Sequence, residues 1–206
     1  MSRAEHTDIA SILGDGIADA AAGAAARFAD RADREGLADV AYATLDTPLG
    51  PSLVAATERG LVRVMLPNES VDELLERIAR DLSPRLLELP ARLDRERRQL
   101  DEYFAGERRR FDLEIDWQLT KPGFYRQVLR TATRRLPYGV TASYAEVAGW
   151  AGNPRAYRAA GSALGHNPLP IVVPCHRVLL SGGGLGEYGG GPEMKEFLLR
   201  LEGAIG

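Results

Sequence analysis

A second cysteine is missing from this sequence. Cys175 is the only one in 206 residues, which excludes an internal disulfide and a zinc site built from several cysteines, and suits a reducing compartment. Also missing is any apolar run near the roughly 20 residues that a membrane-spanning helix needs. The alanine-rich patch Ala20–Ala26 is bracketed by Asp15, Asp19 and Asp30, with Glu5 and Asp8 before it. A secretory signal peptide opens with basic residues instead, so the expected location is the cytoplasm, with no membrane partner. Internal repeats and low-complexity tails are absent. The net charge of −3 argues at first against nucleic acid. Its distribution argues the other way. Lys121, Arg126, Arg130, Arg134, Arg135, Arg155 and Arg158 face only Glu146, giving residues 121–158 a charge of +6 and leaving −9 for the rest. A basic segment in an acidic chain is a footprint for a polyanion; a solvated arginine-rich helix face gives the same count.

What is present suffices for one large domain or two small ones with a real core. Residues 1–36 read as a helical extension, one or two helices around Ile9–Leu13 and Gly16–Arg34, with no chemistry of their own. Val40–Leu45, Ser52–Ala56 and Leu61–Leu66, separated by turn signals at Pro48–Pro51 and Glu58–Gly60, read as an antiparallel meander. Ser70–Glu73 is a capping box opening a helix whose apolar face is Val71, Leu74, Leu75, Ile78 and Leu82. A charged helix follows over Pro90–Phe104, buried through Leu93, Leu100 and Phe104. Alternation over Phe111–Trp117 reads as a half-buried strand. Leu119–Gly123 marks a boundary, so the expected parts are 1–36, an α/β domain over 37–119, and a second domain over 120–206.

The second domain opens with a helix over Phe124–Leu136, its arginines mostly outside. Ser143–Glu146 is another capping box, and Gly152-Asn153-Pro154 supplies a stop, a cap and a first-turn proline for a helix from Pro154 to about Leu164. Two short helices on a tight glycine turn make a helix-turn-helix. Its second helix is built of small residues, Ala156, Ala159, Ala160, Gly161, Ser162 and Ala163, with Arg155 and Arg158. Such a helix reads few base edges in a major groove. It suits a narrow groove, with an arginine to fill a gap or meet phosphate; it equally suits tight packing against a neighbouring helix.

The chain then reaches Ile171-Val172-Val173-Pro174-Cys175-His176-Arg177-Val178. A thiol attacks as the thiolate, and a neighbouring imidazole or charge network can supply it. A lone cysteine on an apolar run also packs like a small hydrophobe, and adjacent residues on a strand point to opposite faces. The glycines between Ser181 and Gly191 imply a backbone in special conformations or close to a ligand, rather than a linker, because Leu185 and Tyr188 interrupt them. Glu193–Glu202 is a helix with Met194, Phe197, Leu198 and Leu201 in its stripe and Gly203 as its stop. Glu202 sits at the end where the macrodipole disfavours a carboxylate, so a partner such as His176 would account for it.

Together these residues resemble the O6-alkylguanine-DNA alkyltransferase family. The resemblance is carried by Pro174-Cys175-His176-Arg177-Val178, by Asn167-Pro168 ahead of it, by Ser143-Tyr144, by Asn153-Pro154 with Arg158, and by Leu201-Glu202-Gly203. It is close over Phe124–Gly203, and the meander is compatible with the family's more variable N-terminal domain. It implies an α+β fold, a ribonuclease-H-like sheet domain followed by a helical, winged-helix-like domain holding the helix-turn-helix. It implies single-turnover transfer of an alkyl group from O6-alkylguanine, and from O4-alkylthymine, in duplex DNA to Cys175, after minor-groove binding and nucleotide flipping. No metal or organic cofactor is implied, and the protein is expected to be a monomer.

Carried over by position, Cys175 accepts the alkyl group, His176 relays the thiol proton through a water, and Glu202 orients and charge-balances His176. Tyr144 stabilises the departing guanine, and Asn167 braces the turn ahead of the cysteine. Arg158 fills the stack left by the flipped nucleotide, with Arg155, Tyr144, Ala156, Ala159, Gly161 and Ser162 on the DNA surface. Val178, Ser181, Tyr188, Gly189 and Gly190 line the base pocket. The family's cysteine-containing zinc site is excluded here, residues 1–36 have no counterpart, and the loop Gly182–Gly191 is unusually rich in glycine. Two other classes compete: a non-catalytic binder of alkyl lesions that recruits other repair factors, which has no need of a nucleophile, and a cysteine–histidine hydrolase, which has no need of a basic helix-turn-helix.

Overall fold

The computed structural model describes residues 9–206; residues 1–8 of the expected extension, with Glu5 and Asp8, lie outside the described residues. The chain divides into two compact units, residues up to Ala38 and Asp39–Gly206. In the first, the one or two expected helices are a single helix, α1 (Ile9–Arg34), closed by Gly36 at φ 67°. The Leu37 N–H reaches the Ala32 carbonyl at 2.8 Å and the Gly36 N–H the Asp33 carbonyl at 3.0 Å, a left-handed glycine stop.

In the second unit, β1 (Val40–Thr47), β2 (Gly50–Thr57) and β3 (Gly60–Met65) form the expected meander. Val40 pairs with Thr57, and Thr47 with Gly50 at the turn. α2 (Val71–Asp81) starts at Ser70, whose hydroxyl accepts the Glu73 N–H, and packs Leu74 and Ile78 onto a core of Val40, Leu53, Ala55, Val62 and Met65. It leads to a strand with no sequence signal, β4 (Leu86–Glu88), which pairs parallel to β1. The sheet order is β3-β2-β1-β4, so β3 is an edge.

The expected strand over Phe111–Trp117 does not form. The alternation is real, with Phe111, Leu113 and Ile115 half-buried and Asp112 and Glu114 exposed. Yet the segment meets the edge of β3 at one bridge only, Leu61 with Ile115. Asp116 then turns inward, accepting hydrogen bonds from Thr57 Oγ1 at 2.6 Å and from the Gln118 N–H at 3.1 Å, which draws the chain off the edge. α3 (Asp94–Phe104) follows a 3-10 turn at Pro90–Leu93 and buries Gln99, Leu100 and Tyr103. Tyr103 thus takes the inner place expected for Phe104.

α4 (Phe124–Arg135) buries Val128, Leu129, Thr131 and Ala132. α5 (Tyr144–Trp150) opens on the expected capping box, with the Ser143 N–H donating to Glu146 Oε2 at 2.7 Å and the Glu146 N–H to Ser143 Oγ at 3.2 Å. Gly152, at φ 93°, ends it. α6 (Tyr157–Gly165) starts three residues later than expected. The Ala156 N–H donates to the Asn153 carbonyl at 3.0 Å, so Asn153–Ala156 is a turn with proline at its second position, where a fixed φ is favoured. Two residues of β5 (Ala142–Ser143) pair parallel with β6 (Val178–Leu179), the small sheet beside the helix-turn-helix.

The last helix, α7 (Pro192–Leu201), is rotated from expectation. Its buried face is Lys195, Leu198, Leu199 and then Glu202, not Met194, Phe197, Leu198 and Leu201. The spacing i, i+3, i+4, i+7 is helical, but the stripe begins and ends on a charge. No helix among the described residues is long and apolar enough to cross a membrane.

Candidate active site

The apolar run before the cysteine is a chain of tight turns, not the strand its composition suggested. Ile171 sits at φ 72°, the only non-glycine residue at positive φ among the described residues. The Val172 N–H closes a three-residue turn around it onto the Pro170 carbonyl at 2.9 Å. A β-branched residue there is strained by about 1–3 kcal/mol and stays only because its surroundings impose it. A second such turn, of the relaxed hand, centres on Pro174 (φ −81°, ψ 61°), with the Cys175 N–H on the Val173 carbonyl at 2.8 Å. Cys175–Arg177 then forms a 3-10 turn. The alternation of a strand is therefore abolished, and Cys175, His176 and Arg177 are all buried.

Asn167 holds this loop together. Its Nδ2 donates to the Val173 carbonyl at 2.9 Å and to Cys175 Sγ at 3.1 Å, while its Oδ1 accepts the Leu169 N–H at 3.0 Å. Burial pushes the Cys175 thiol up; the Asn167 amide, the Lys195 charge and the backbone amides of Cys175 and His176 only partly oppose it. The resting thiol is neutral.

Behind the cysteine, Glu202 collects five hydrogen bonds. His176 Nε2 donates to its Oε1 at 2.8 Å, Tyr103 Oη to Oε1 at 2.6 Å, and Arg177 spans both oxygens with Nη2 and Nε at 2.8 Å each. The Gly139 N–H reaches Oε2 at 3.1 Å. Burial would raise this carboxyl, but the hydrogen bonds of His176 and Arg177, with the Arg177 charge, outweigh it and hold it well below the usual carboxylate range. An ionised Glu202 accepts only, so the His176 proton sits on Nε2. His176 is fully buried, and desolvation lowers it against the pull of Glu202, leaving the imidazole neutral. Its Nδ1 is buried with no partner among the described residues, a free base on the ring.

In front of the cysteine lies a cavity of about 930 Å³. It brings together Tyr144, Arg158, Gly161, Ser162, Cys175, Ser181, Tyr188 and Gly189 of the expected residues, and adds Tyr157, Leu180 and Glu187. Burial keeps the Tyr144 phenol protonated, helped by Cys175 and Glu187. Gly186 makes room for it: a Cβ there would sit 3.2 Å from the Tyr144 hydroxyl, whereas one on Gly161 would only reach ordinary contact with the ring at 3.6 Å. Arg158 is exposed, its guanidinium 5.7 Å from the Tyr157 ring. Arg155, Ala156 and Ala159 stay outside the cavity, on or near the surface of the turn and α6. Val178 and Gly190 do not line it; Val178 is fully buried, and Gly190 is packed between Tyr188, Met194 and Leu66.

Lys195 was not singled out in the sequence. It is fully buried, and its Nζ donates to the carbonyls of Val178 (2.6 Å), Leu185 and Glu187 (3.5 Å). Burial pushes it down to about 8, with Cys175 opposing. It ties the glycine-rich loop to β6. The one available signal was a lysine at i−3 from Leu198 on the helix that ends in Glu202. A second cavity of about 360 Å³ also reaches Cys175, sharing Tyr188 and Gly189 with the first and walled by Arg63, Glu69, Arg77 and Pro168.

Comparison with known proteins gives matches over most of residues 40–204. The family model described as "6-O-methylguanine DNA methyltransferase, ribonuclease-like domain" matches residues 40–117, and that described as "6-O-methylguanine DNA methyltransferase, DNA binding domain" matches residues 123–204. A methylated-DNA–protein-cysteine methyltransferase of Methanosarcina acetivorans is 37% identical over 79% of this chain and 98% of its own. The constitutive one of Bacillus subtilis is 39% identical over 78% of this chain and 94% of its own. The crystal structure of Mycobacterium tuberculosis O6-methylguanine methyltransferase superposes with a TM-score of 0.68 at 38% identity, over 79% of this chain and 92% of that one. The M. tuberculosis protein in complex with DNA superposes equally well. The chain therefore belongs to the methylated-DNA–protein-cysteine methyltransferase family, enzymes that repair DNA by moving an alkyl group onto a cysteine of their own.

Proposed function

We propose that this chain takes the alkyl group of O6-alkylguanine, and of O4-alkylthymine, out of duplex DNA and onto Cys175 Sγ, once per molecule. The observation that carries the reading is that Cys175, held by the Asn167 amide and followed directly by the His176–Glu202 pair, opens on a cavity beside the helix-turn-helix. Residues 37–119 act as the supporting sheet domain and 120–206 as the domain that binds DNA and accepts the alkyl group. The protein works as a monomer in the cytoplasm.

The arginines of α4 and the helix-turn-helix neutralise phosphates, which fixes the protein on DNA without reading sequence. The target atom lies inside the base stack, so the lesion is flipped into the large cavity and Arg158 fills the gap it leaves. The thiol proton passes to His176 Nδ1 through a water, and the Glu202 carboxylate stabilises the imidazolium that results. The thiolate, held by the Asn167 amide and the Lys195 charge, attacks the alkyl carbon. The new S–C bond forms as the C–O6 bond breaks, and the electron pair leaves with guanine, to which the Tyr144 hydroxyl donates a hydrogen bond. The product is a thioether with no good leaving group, and the chain has no second cysteine to pass it to.

Intact mass after incubation with a duplex holding O6-methylguanine tests this. One methyl group on Cys175 for each guanine restored is expected. Many turnovers with Cys175 unmodified would establish a hydrolase, and binding without transfer would establish a damage-sensing binder.

A further inference from the structure

Pro168 follows Asn167 directly, and its carbonyl is held from outside the acceptor domain. It accepts the Val64 N–H at 3.0 Å and Arg63 Nη1 at 2.9 Å, both from the edge strand β3. The same Nη1 donates to the Val64 carbonyl at 2.9 Å. Arg63 Nη2 pairs with Glu69, whose other oxygen accepts the Leu66 N–H at 2.9 Å. The guanidinium is therefore fixed on several sides, and Arg63 is only 7% exposed. Burying an arginine in a strand is costly, and an apolar side chain would cover a sheet edge with less desolvation. The arginine supplies direction.

That direction has a recipient. The carbonyl of the Pro168–Leu169 peptide is fixed by β3, and the N–H of the same peptide donates to Asn167 Oδ1 at 3.0 Å. The peptide plane thus sets the plane of the Asn167 amide. The other end of that amide is the Nδ2 that donates to Cys175 Sγ at 3.1 Å. We propose that Arg63 is a positioning residue for alkyl transfer: by fixing the Pro168–Leu169 peptide, it aims the Asn167 amide at the cysteine sulfur. The role rests on Cys175 being the acceptor, but its effect on the thiol can be read without any transfer.

The sheet domain is then part of the thiol's activation and more than a scaffold. Asn68 Nδ2 donates to the Gly189 carbonyl at 2.8 Å on the opposite wall, so residues 63–69 hold the loops on both sides of the cysteine.

The test compares Arg63→Met, Arg63→Lys, Asn167→Ala and the double variant Arg63→Met/Asn167→Ala. Two quantities are read: the pH profile of Cys175 alkylation by iodoacetamide, and the single-turnover rate on an O6-methylguanine duplex. Loss of one aimed hydrogen bond to sulfur should move the midpoint of the profile up by about one unit, a factor of about ten in thiolate at neutral pH. Repair by Arg63→Met should fall by a similar factor on duplex and on free O6-methylguanine base, with affinity for lesion-free duplex unchanged. Arg63→Lys, which keeps the charge on a single donor nitrogen, should lie between. In the Asn167→Ala background, Arg63→Met should cost nothing further.

A lower melting temperature with an unmoved midpoint and rate would overturn the proposal and leave Arg63 a purely structural residue. Additive losses with Asn167→Ala would overturn it too. If Arg63→Met does not fold because Glu69 keeps only the exposed Arg77 as its counter-charge, at 3.7 Å, Arg63→Met/Glu69→Gln lowers the charge left behind and is held to the same outcomes. If no alkyl transfer occurs in the unsubstituted protein, the profile midpoint still decides the positioning role, so the two failures are separable.

Discussion

Replacing Glu202 by glutamine keeps the shape of the side chain and removes its charge. The five groups that donate to it are all donors at fixed positions. A glutamine offers one oxygen to them and turns an NH₂ toward the rest. Arg177 is left as a buried cation without its counter-charge, and breaking such a pair costs about 3–5 kcal/mol. A chain of this size loses about 2–4 °C of melting temperature per kcal/mol, so Glu202→Gln should melt about 6–20 °C lower at pH 7. With a total stability of about 5–15 kcal/mol it should remain folded at room temperature.

The acid side carries a sign. Glu202 is held below its unfolded value, so its contribution is complete above about pH 4.3 and drains away as the pH falls toward its folded value. The gap in melting temperature between the two proteins should therefore close in acid. Repair should fall by about 10²–10⁴-fold, because the His176 imidazolium loses its carboxylate. Arg177→Met/Glu202→Gln separates the two effects: it removes the stranded cation and should regain most of the stability, but none of the rate. Differential scanning calorimetry from pH 3 to 8 with quenched-flow repair assays measures both. A Glu202→Gln protein melting within about 2 °C of the original, less than 1 kcal/mol's worth, would refute the reasoning. So would a double variant that recovers repair.

Arg158→Ala should slow repair of duplex far more than reaction with a free alkylguanine base, which needs no flipping; equal losses would place Arg158 in the fold or the pocket. Gly186→Ala should slow repair, because its Cβ crowds the Tyr144 hydroxyl at φ 67°, while Gly182→Ala, with nothing within 4 Å, should leave the rate unchanged; single-turnover rates on one duplex compare them. Lys195, pushed down to about 8, binds its proton more weakly folded than unfolded, so between about pH 8 and 10.4 the protein should gain stability relative to Lys195→Met. Parallel melting curves that never converge or diverge across that window would contradict the burial of a charged Lys195.

The meander, α2 and the capping box of α5 were legible because local chemistry alone decides them. Ser70 and Ser143 cap whatever they precede, and the turns at Gly50 and Gly60 need glycine backbones. That His176 and Glu202 pair next to Cys175 was legible through the resemblance and an odd carboxylate at a helix end. Features that answer to distant partners were not. β4 is three residues long and exists only because β1 offers an edge. Phe111–Trp117 has the pattern of a strand, but Asp116 turns inward to Thr57. Pro154 fits a first helical position as well as a turn, and the Asn153–Ala156 hydrogen bond selects the turn. The buried stripe of α7 was misplaced by one residue because apolar counting passes over Lys195 and Glu202, which face inward to meet carbonyls, an imidazole and a guanidinium. Arg63 gave no sign at all: on a strand it reads as a surface charge.

The two buried charges of α7 and its cap, Lys195 and Glu202, have a consequence for how this helix came to hold its sequence. A cation one turn into a helix and an anion at its end both oppose the macrodipole, each by about 0.3–1 kcal/mol at most. A helix chosen for its own sake would carry them the other way round. The exposed Glu193 and Arg200 do obey the macrodipole, so residues 192–203 taken out of the protein are frustrated at Lys195 and Glu202 alone, the two positions that the folded surroundings satisfy. Exchanging the two charges should raise the helicity of that peptide in isolation while dismantling the site in the protein. The helix records a trade in which local stability was given up so that both ends could serve one sulfur atom.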